Sequence, residues 1–151
     1  MAAGHRIVPH TADLALEAWA PGKGECIAEA ARALVGSFAD VRGAVPRETV
    51  TVELAEASDE DLLVRALDEV IYQLEVHRRV PAAIWVAVAD AGDPAGTAGT
   101  EGTEGPATIR LAAVPAADVR VTGAIPKAVT RHELRFGRSG GLWRCRVIVD
   151  V

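Results

Sequence analysis

At 151 residues, half of them apolar and only 4% aromatic, the chain has room for one compact domain with its own core and excludes two large ones. Its two cysteines, Cys26 and Cys145, have no zinc-type spacing and make a poor disulfide framework, so a reducing, cytoplasmic setting is expected. No signal-peptide core opens the chain and no run of about 18 uncharged apolar residues could span a membrane. The net charge of −5 is uneven: residues 1–107 carry eight Lys/Arg against eighteen Asp/Glu, residues 108–151 eight against three. Such asymmetry can mark an acidic partner, but the three Trp and one Tyr are scattered, with no interleaved stacking pattern. The arginines are therefore read as decorating exposed strand positions, and direct nucleic-acid binding is not expected.

The first expected elements are strands over residues 6–9 and 12–19. In the second, alternation sends Leu14, Leu16 and Ala18 to the core and Asp13, Ala15 and Glu17 to the other face. A helix over 25–39 follows from Ile27, Ala30, Ala31, Leu34, Val35 and Phe38 on one face. After a strand over 49–54, Leu62, Leu63, Ala66, Leu67, Val70, Ile71 and Leu74 predict a second helix over 59–78. A Ser58/Asp61 capping pair starts it, His77, Arg78 and Arg79 complement its last turn, and Pro81 forbids continuation.

A strand over 83–89 is followed by residues 90–106, DAGDPAGTAGTEGTEGP, which hold almost no apolar side chain larger than alanine and predict a disordered surface loop. Strands over 108–113, 119–121, 128–136 and 143–151 complete the chain. Gly137, Gly140 and Gly141 predict a hairpin with a five-to-six-residue loop between the last two. Many strands with only two helices predict an α+β single domain, a largely antiparallel sheet with both helices packed on it.

Chemistry concentrates at two places. Asp13, beside His10, stands where a strand begins; such an aspartate serves either turn chemistry or a ligand role. Asp150 ends a strand in VIVDV, where a terminal carboxylate on Val151 adds a second anion. If the first and last strands are neighbours, Asp13 joins them. Carboxylate oxygens favour a hard divalent cation, Ca²⁺, Mg²⁺ or Mn²⁺, over zinc; the alternative is a frayed terminus. Lys127, one of only two lysines, opens a basic stripe with Val129, Arg131, Glu133 and Arg135 that suits an acidic partner, a phosphate or, more commonly, solvent, with Ala128, Thr130, His132, Leu134 and Phe136 on the other face. Neither a P-loop, GxGxxG, GxSxG nor HExxH occurs, and both cysteines read as small buried hydrophobes.

HTADLALEAWA, the Ala-rich helix ending near GSFAD, DEDLLVRALDEVIYQLE, KAVTRHELRF and the final VIVDV follow one another in an order that resembles the archease family over nearly the whole chain. The resemblance implies a non-catalytic activator of an RtcB-type RNA ligase, which joins a 3′-phosphate or 2′,3′-cyclic phosphate end to a 5′-hydroxyl using GTP and Mn²⁺. It would promote guanylylation of the ligase and multiple turnover in tRNA splicing or RNA repair, meeting RNA or tRNA indirectly through the ligase, with no membrane role. It also implies a metal site, with Ca²⁺ the first expectation, on Asp13, Asp150 and Val151, and partner contacts at Lys127, His10 and His132. A chaperone-like modulator of tRNA-modifying enzymes such as a methyltransferase is the alternative. Pro126 departs from the family pattern and sets the strand start at Lys127, since proline cannot donate a ladder bond.

Overall fold

Alternation decides β1 (Gly4–Pro9) and β2 (Leu14–Ala20), which pair antiparallel from Gly4 opposite Trp19 to Pro9 opposite Leu14. The computed structural model describes residues 2–9, 13–55, 58–88 and 107–151; residues 90–106 and His10 lie outside them. Leu16, Ala18 and Ala20 turn into the core as a period of two requires, while Ala15 on the opposite face is also fully buried.

Helix α1 (Lys23–Phe38) starts two residues before its expected position and buries Ile27, Ala30, Ala31, Leu34 and Phe38. Gly24 lets it lie directly on a neighbouring strand: a Cβ there would stand 2.6 Å from the Val86 carbonyl oxygen. Ala39 turns extended and opens β3 (Ala39–Asp40). After β4 (Glu48–Leu54), α2 (Asp59–Glu75) begins as expected, with Ser58 Oγ accepting from the Asp61 N–H at 3.0 Å and three carboxylates in the first turn.

Its end differs from expectation. The helix stops at Glu75, Arg78 takes a left-handed φ of 55°, and β5 (Arg79–Val88) starts at once, so His77, Arg78 and Arg79 do not line a last helical turn. Pro81 lies inside this strand, which is tolerable because β5 is an edge strand and its ladder is irregular between Pro81 and Ala83. β6 (Ala107–Pro115) and the short β7 (Arg120–Val121) follow. β8 (Ala128–Ser139) and β9 (Leu142–Asp150) are joined by Gly140 and Gly141 alone, with φ of 64° and 83°. Two consecutive positive φ values make the tight hairpin turn matching strand twist, so the expected longer loop does not form.

The strands assemble as β1-β2-β9-β8, β4-β6-β5 and the pair β3-β7, antiparallel throughout the described residues. The α+β class is as expected, but the strands divide among separate sheets. α1 packs against β2 of the first and β5 of the second, α2 against β8 and β5. Leu16, Ile27, Leu34, Leu67, Ile109, Leu111 and Val147 thereby join one continuous core. No described helix is long and apolar enough to cross a membrane.

β8 carries the main irregularity. Thr130 stands opposite Ile148 and Arg135 opposite Arg146, so five steps along β8 match two along β9, and Glu133 has a φ of 60°. An odd excess of residues inverts the alternation. Val129 before the bulge and Leu134 and Phe136 after it all pack against the core, and the two expected faces do not persist along the strand. The basic stripe from Lys127 dissolves accordingly: Arg131 pairs with Asp61 of α2 at 2.8 Å, while Arg135 faces Arg146.

Candidate functional site

β2 and β9 are the two central strands of the four-stranded sheet, and Leu14 stands opposite Val149. One register step further sets Asp13 opposite Asp150, and Ala128 flanks Asp150 from β8. The Lys127 N–H donates to the Asp150 carbonyl at 2.7 Å, so ladder bonding starts at Lys127 as expected, directly after the buried Pro126. Asp13 and Val151 are half-buried, Asp150 and Lys127 exposed. One end of the sheet therefore gathers two side-chain carboxylates, Val151 and a lysine from segments more than a hundred residues apart.

The remaining predicted positions do not all join them. His132 sits in the β8 bulge, where its N–H donates to Thr130 Oγ1 at 3.0 Å and its exposed ring lies 3.4 Å from Glu133. Among the described residues no three His, Cys, Asp or Glu side chains gather closely enough to hold a metal ion. Asp13 and Asp150 supply two hard oxygen donors; further ligands for a cation must come from Val151, backbone carbonyls or water.

The same outer face of the sheet gathers arginines that the sequence alone presents as scattered exposed strand positions. Arg6, Glu17, Arg146 and Arg135 form one row across β1, β2, β9 and β8, and Gly4, Trp19, Arg144 and Gly137 form the next. They floor a pocket of about 810 Å³ rimmed by Arg138 and Ser139. The Arg6 guanidinium, at 2.7 Å, followed by Arg146 at 2.8 Å, holds the Glu17 carboxyl below the ordinary carboxylate range against the opposing effect of burial. The signal was present in the +5 balance of residues 108–151 and in the alternate spacing of Arg144 and Arg146. It was missed because spacing gives a face, whereas adjacency of strands makes a cluster.

Both thiols are free and buried, as the sequence reading expects. Cys26 Sγ donates to the Ala18 carbonyl at 3.6 Å, and hydrogen bonding with Cys26, then burial, pushes the Cys145 thiol well above its ordinary value. Neither is a ready nucleophile.

Fold and site define a class: an antiparallel α+β domain, with two α-helices among the described residues, whose central strand pair joins an early LALEAWA strand to the late strand that ends in VIVD. The sequence model described as the archease protein family (MTH1598/TM1083) matches residues 5–151, and the chain belongs to that family. Two Mycobacterium tuberculosis proteins, from strains CDC 1551 / Oshkosh and H37Rv and each named "Probable protein archease", are 38% identical over 148 residues, covering 98% of this chain and 75% of theirs. The solution structure of Methanobacterium thermoautotrophicum protein 1598 superposes with a TM-score of 0.69 at 22% identity, over 98% of this chain and 99% of that one. A Thermotoga maritima archease crystal structure, described as a possible chaperone, gives 0.58 at 23% identity, over 95% and 94%. At those identities the two structures share the fold.

Proposed function

We propose that this archease activates an RtcB-type RNA ligase in the cytoplasm, promoting guanylylation of the ligase and repeated turnover in tRNA splicing or RNA repair. The observation that supports the reading is the β2–β9–β8 register, along which Asp13, Asp150, Val151 and Lys127 follow at one sheet end in a chain of this family. Asp13 and Asp150 would hold a divalent cation, Ca²⁺ foremost with Mg²⁺ or Mn²⁺ suited to the same donors, and relieve their mutual repulsion. Such a cation supplies positive charge near a transferring phosphoryl group. Lys127, exposed at the same sheet end, would supply a flexible ammonium to the partner. His132, solvent-facing in the bulge, and His10 are further partner contacts. The buried, unpaired thiols suit a reducing compartment.

The test is guanylylation of the cognate ligase with GTP and limiting Mn²⁺, with wild type, Asp150→Asn and Lys127→Ala. Stimulation by wild type that each variant loses, with melting temperature unchanged, is expected; no stimulation by folded wild type would overturn the proposal. The description of the Thermotoga relative as a possible chaperone favours a second reading, a chaperone-like modulator of tRNA-modifying enzymes such as a methyltransferase. That reading expects protection of a client from aggregation that survives chelation of divalent metal.

A further inference from the structure

We propose that the arginine-lined pocket on the outer face of the β1-β2-β9-β8 sheet binds a short segment of single-stranded nucleic acid directly, through its phosphates and one or more bases. The inference does not depend on the ligase reading. It begins with a charge imbalance inside an acidic protein: the chain carries −5, yet five arginines against two carboxylates, Glu17 and Glu60, line this one concavity of about 810 Å³. Glu17 pairs with both Arg6 and Arg146, and Glu133 lies 3.8 Å from Arg146. Among the described residues, no carboxylate lies within ion-pair distance of Arg135, Arg138 or Arg144. Arg144 makes only a long 3.4 Å bond to the Ser139 carbonyl. These three guanidinium groups are exposed at the pocket, with their hydrogen-bonding forks open to anionic oxygens of a ligand.

The choice of cation and the shape of the floor narrow the ligand. Every basic residue lining the pocket is arginine, whose planar fork matches phosphate oxygens and whose plane can also stack on a base. Trp19 packs over Gly4 in the pocket lining, where a Cβ would stand 2.7 Å from the indole, and the Arg6 guanidinium sits 5.8 Å from its ring centroid, a cation–π pair on which a base can stack. Gly137, beside Arg144, leaves open space where a side chain would rise. The arginines reach from β1 to β8, about 14 Å across three strand spacings, which exceeds what a single phosphate engages. A duplex would use the cations but leave the indole idle, because its bases are already stacked. An acidic peptide would match the charge without using the indole. A single strand uses both.

The experiment is fluorescence anisotropy at 50 mM salt and upward with labelled decamers of uridylate and of thymidylate, competed by a decaglutamate peptide and by GTP, for wild type, Arg138→Ala, Arg144→Ala, Arg144→Lys and Glu17→Gln. Binding of either oligonucleotide with a salt slope that drops by about 0.7 for each arginine removed is expected. That slope corresponds to a loss of roughly eightfold per alanine substitution at 50 mM salt. Arg144→Lys recovers part of the loss, and Glu17→Gln tightens binding by freeing two guanidinium groups. Circular dichroism melting checks folding, and Arg138 and Arg144 have no carboxylate partner among the described residues whose loss would lower it. Absent binding at 50 mM salt by folded protein, unchanged affinity in both alanine variants, or displacement by the decaglutamate peptide or GTP at equal anion concentration would overturn the proposal.

Discussion

Gly123 offers the sharpest test of how the Lys127 segment is held. It lies between β7 and β8, and a Cβ there would overlap the carbonyl oxygen of Ser37 and stand 3.3 Å from its carbonyl carbon. Both groups are backbone, so no side chain can swing aside. Relief requires one strand of chain to move by about 1 Å against the other, a distortion of the overpacking kind that costs about 1–3 kcal/mol. The same movement strains the Thr122 N–H bond to the Phe38 carbonyl, now 2.8 Å, worth about 1 kcal/mol more. Gly123→Ala should therefore destabilise by about 2–4 kcal/mol, and at this chain length lower Tm by roughly 5–15 °C. Gly36→Ala is the matched control: its site in α1 is exposed with nothing within 4 Å, so removing glycine's unfolded-state freedom should stabilise by about 0.5–1 kcal/mol. Thermal and urea unfolding of the two variants beside wild type measures both signs. A Gly123→Ala protein that melts within about 2 °C of wild type would refute the claim that this crossing is too close for any side chain.

Two further outcomes follow from titratable groups. Glu17 has a folded pKa below its unfolded value, so its stabilising effect is complete above the unfolded pKa and is lost as pH falls through the folded one. Glu17→Gln should cost about 0.5–1 kcal/mol at pH 7, discounted for a side chain about a quarter exposed. The difference should vanish in urea titrations at acid pH; one that persists there would show that packing, not charge, sets the value. Cys26 and Cys145, buried and with the Cys145 thiol pushed up, should react with an aromatic disulfide reagent no faster than the protein unfolds. Rapid labelling of native protein would show that the helix–sheet contact opens locally.

The helices were legible because their apolar spacing and caps are local: Ser58 with Asp61, and Leu63, Leu67 and Val70 on one face, name α2 without reference to the rest of the chain. Its end at Glu75 was not legible, since Arg78 adopts a left-handed conformation that a β-strand start at Arg79 imposes and no glycine advertises. The bulge at Glu133 was hidden for the same reason, and it alone undoes the face assignment of β8. Division into separate sheets was likewise out of reach, because a period of two fixes which side chains share a face but is silent on which strands adjoin. Asp13 and Asp150 could be suspected separately; their common place depends on the β2–β9 pairing. The arginine pocket needed all four strands in order, which no window of sequence contains.

That pairing has a consequence for biosynthesis. Glu17 and Arg146, bonded across β2 and β9, are 129 residues apart in the chain. At a ribosomal rate of about 5–20 residues per second, the inner edge of β2 waits roughly 6–26 s for its partner strand. Through that interval the β1–β2 hairpin presents an open ladder of amides along the free edge of β2, a template for wrong pairing. Closing so long a loop also places this sheet among slow-forming contacts, late in the order of folding events. A nascent chain stalled before β9 should be sensitive to holdase capture and proteolysis. Once β9 docks, it completes in one step the hydrogen-bonding of β2 and β8, the burial of Val147 and Val149, and the gathering of charges at both ends of the sheet face.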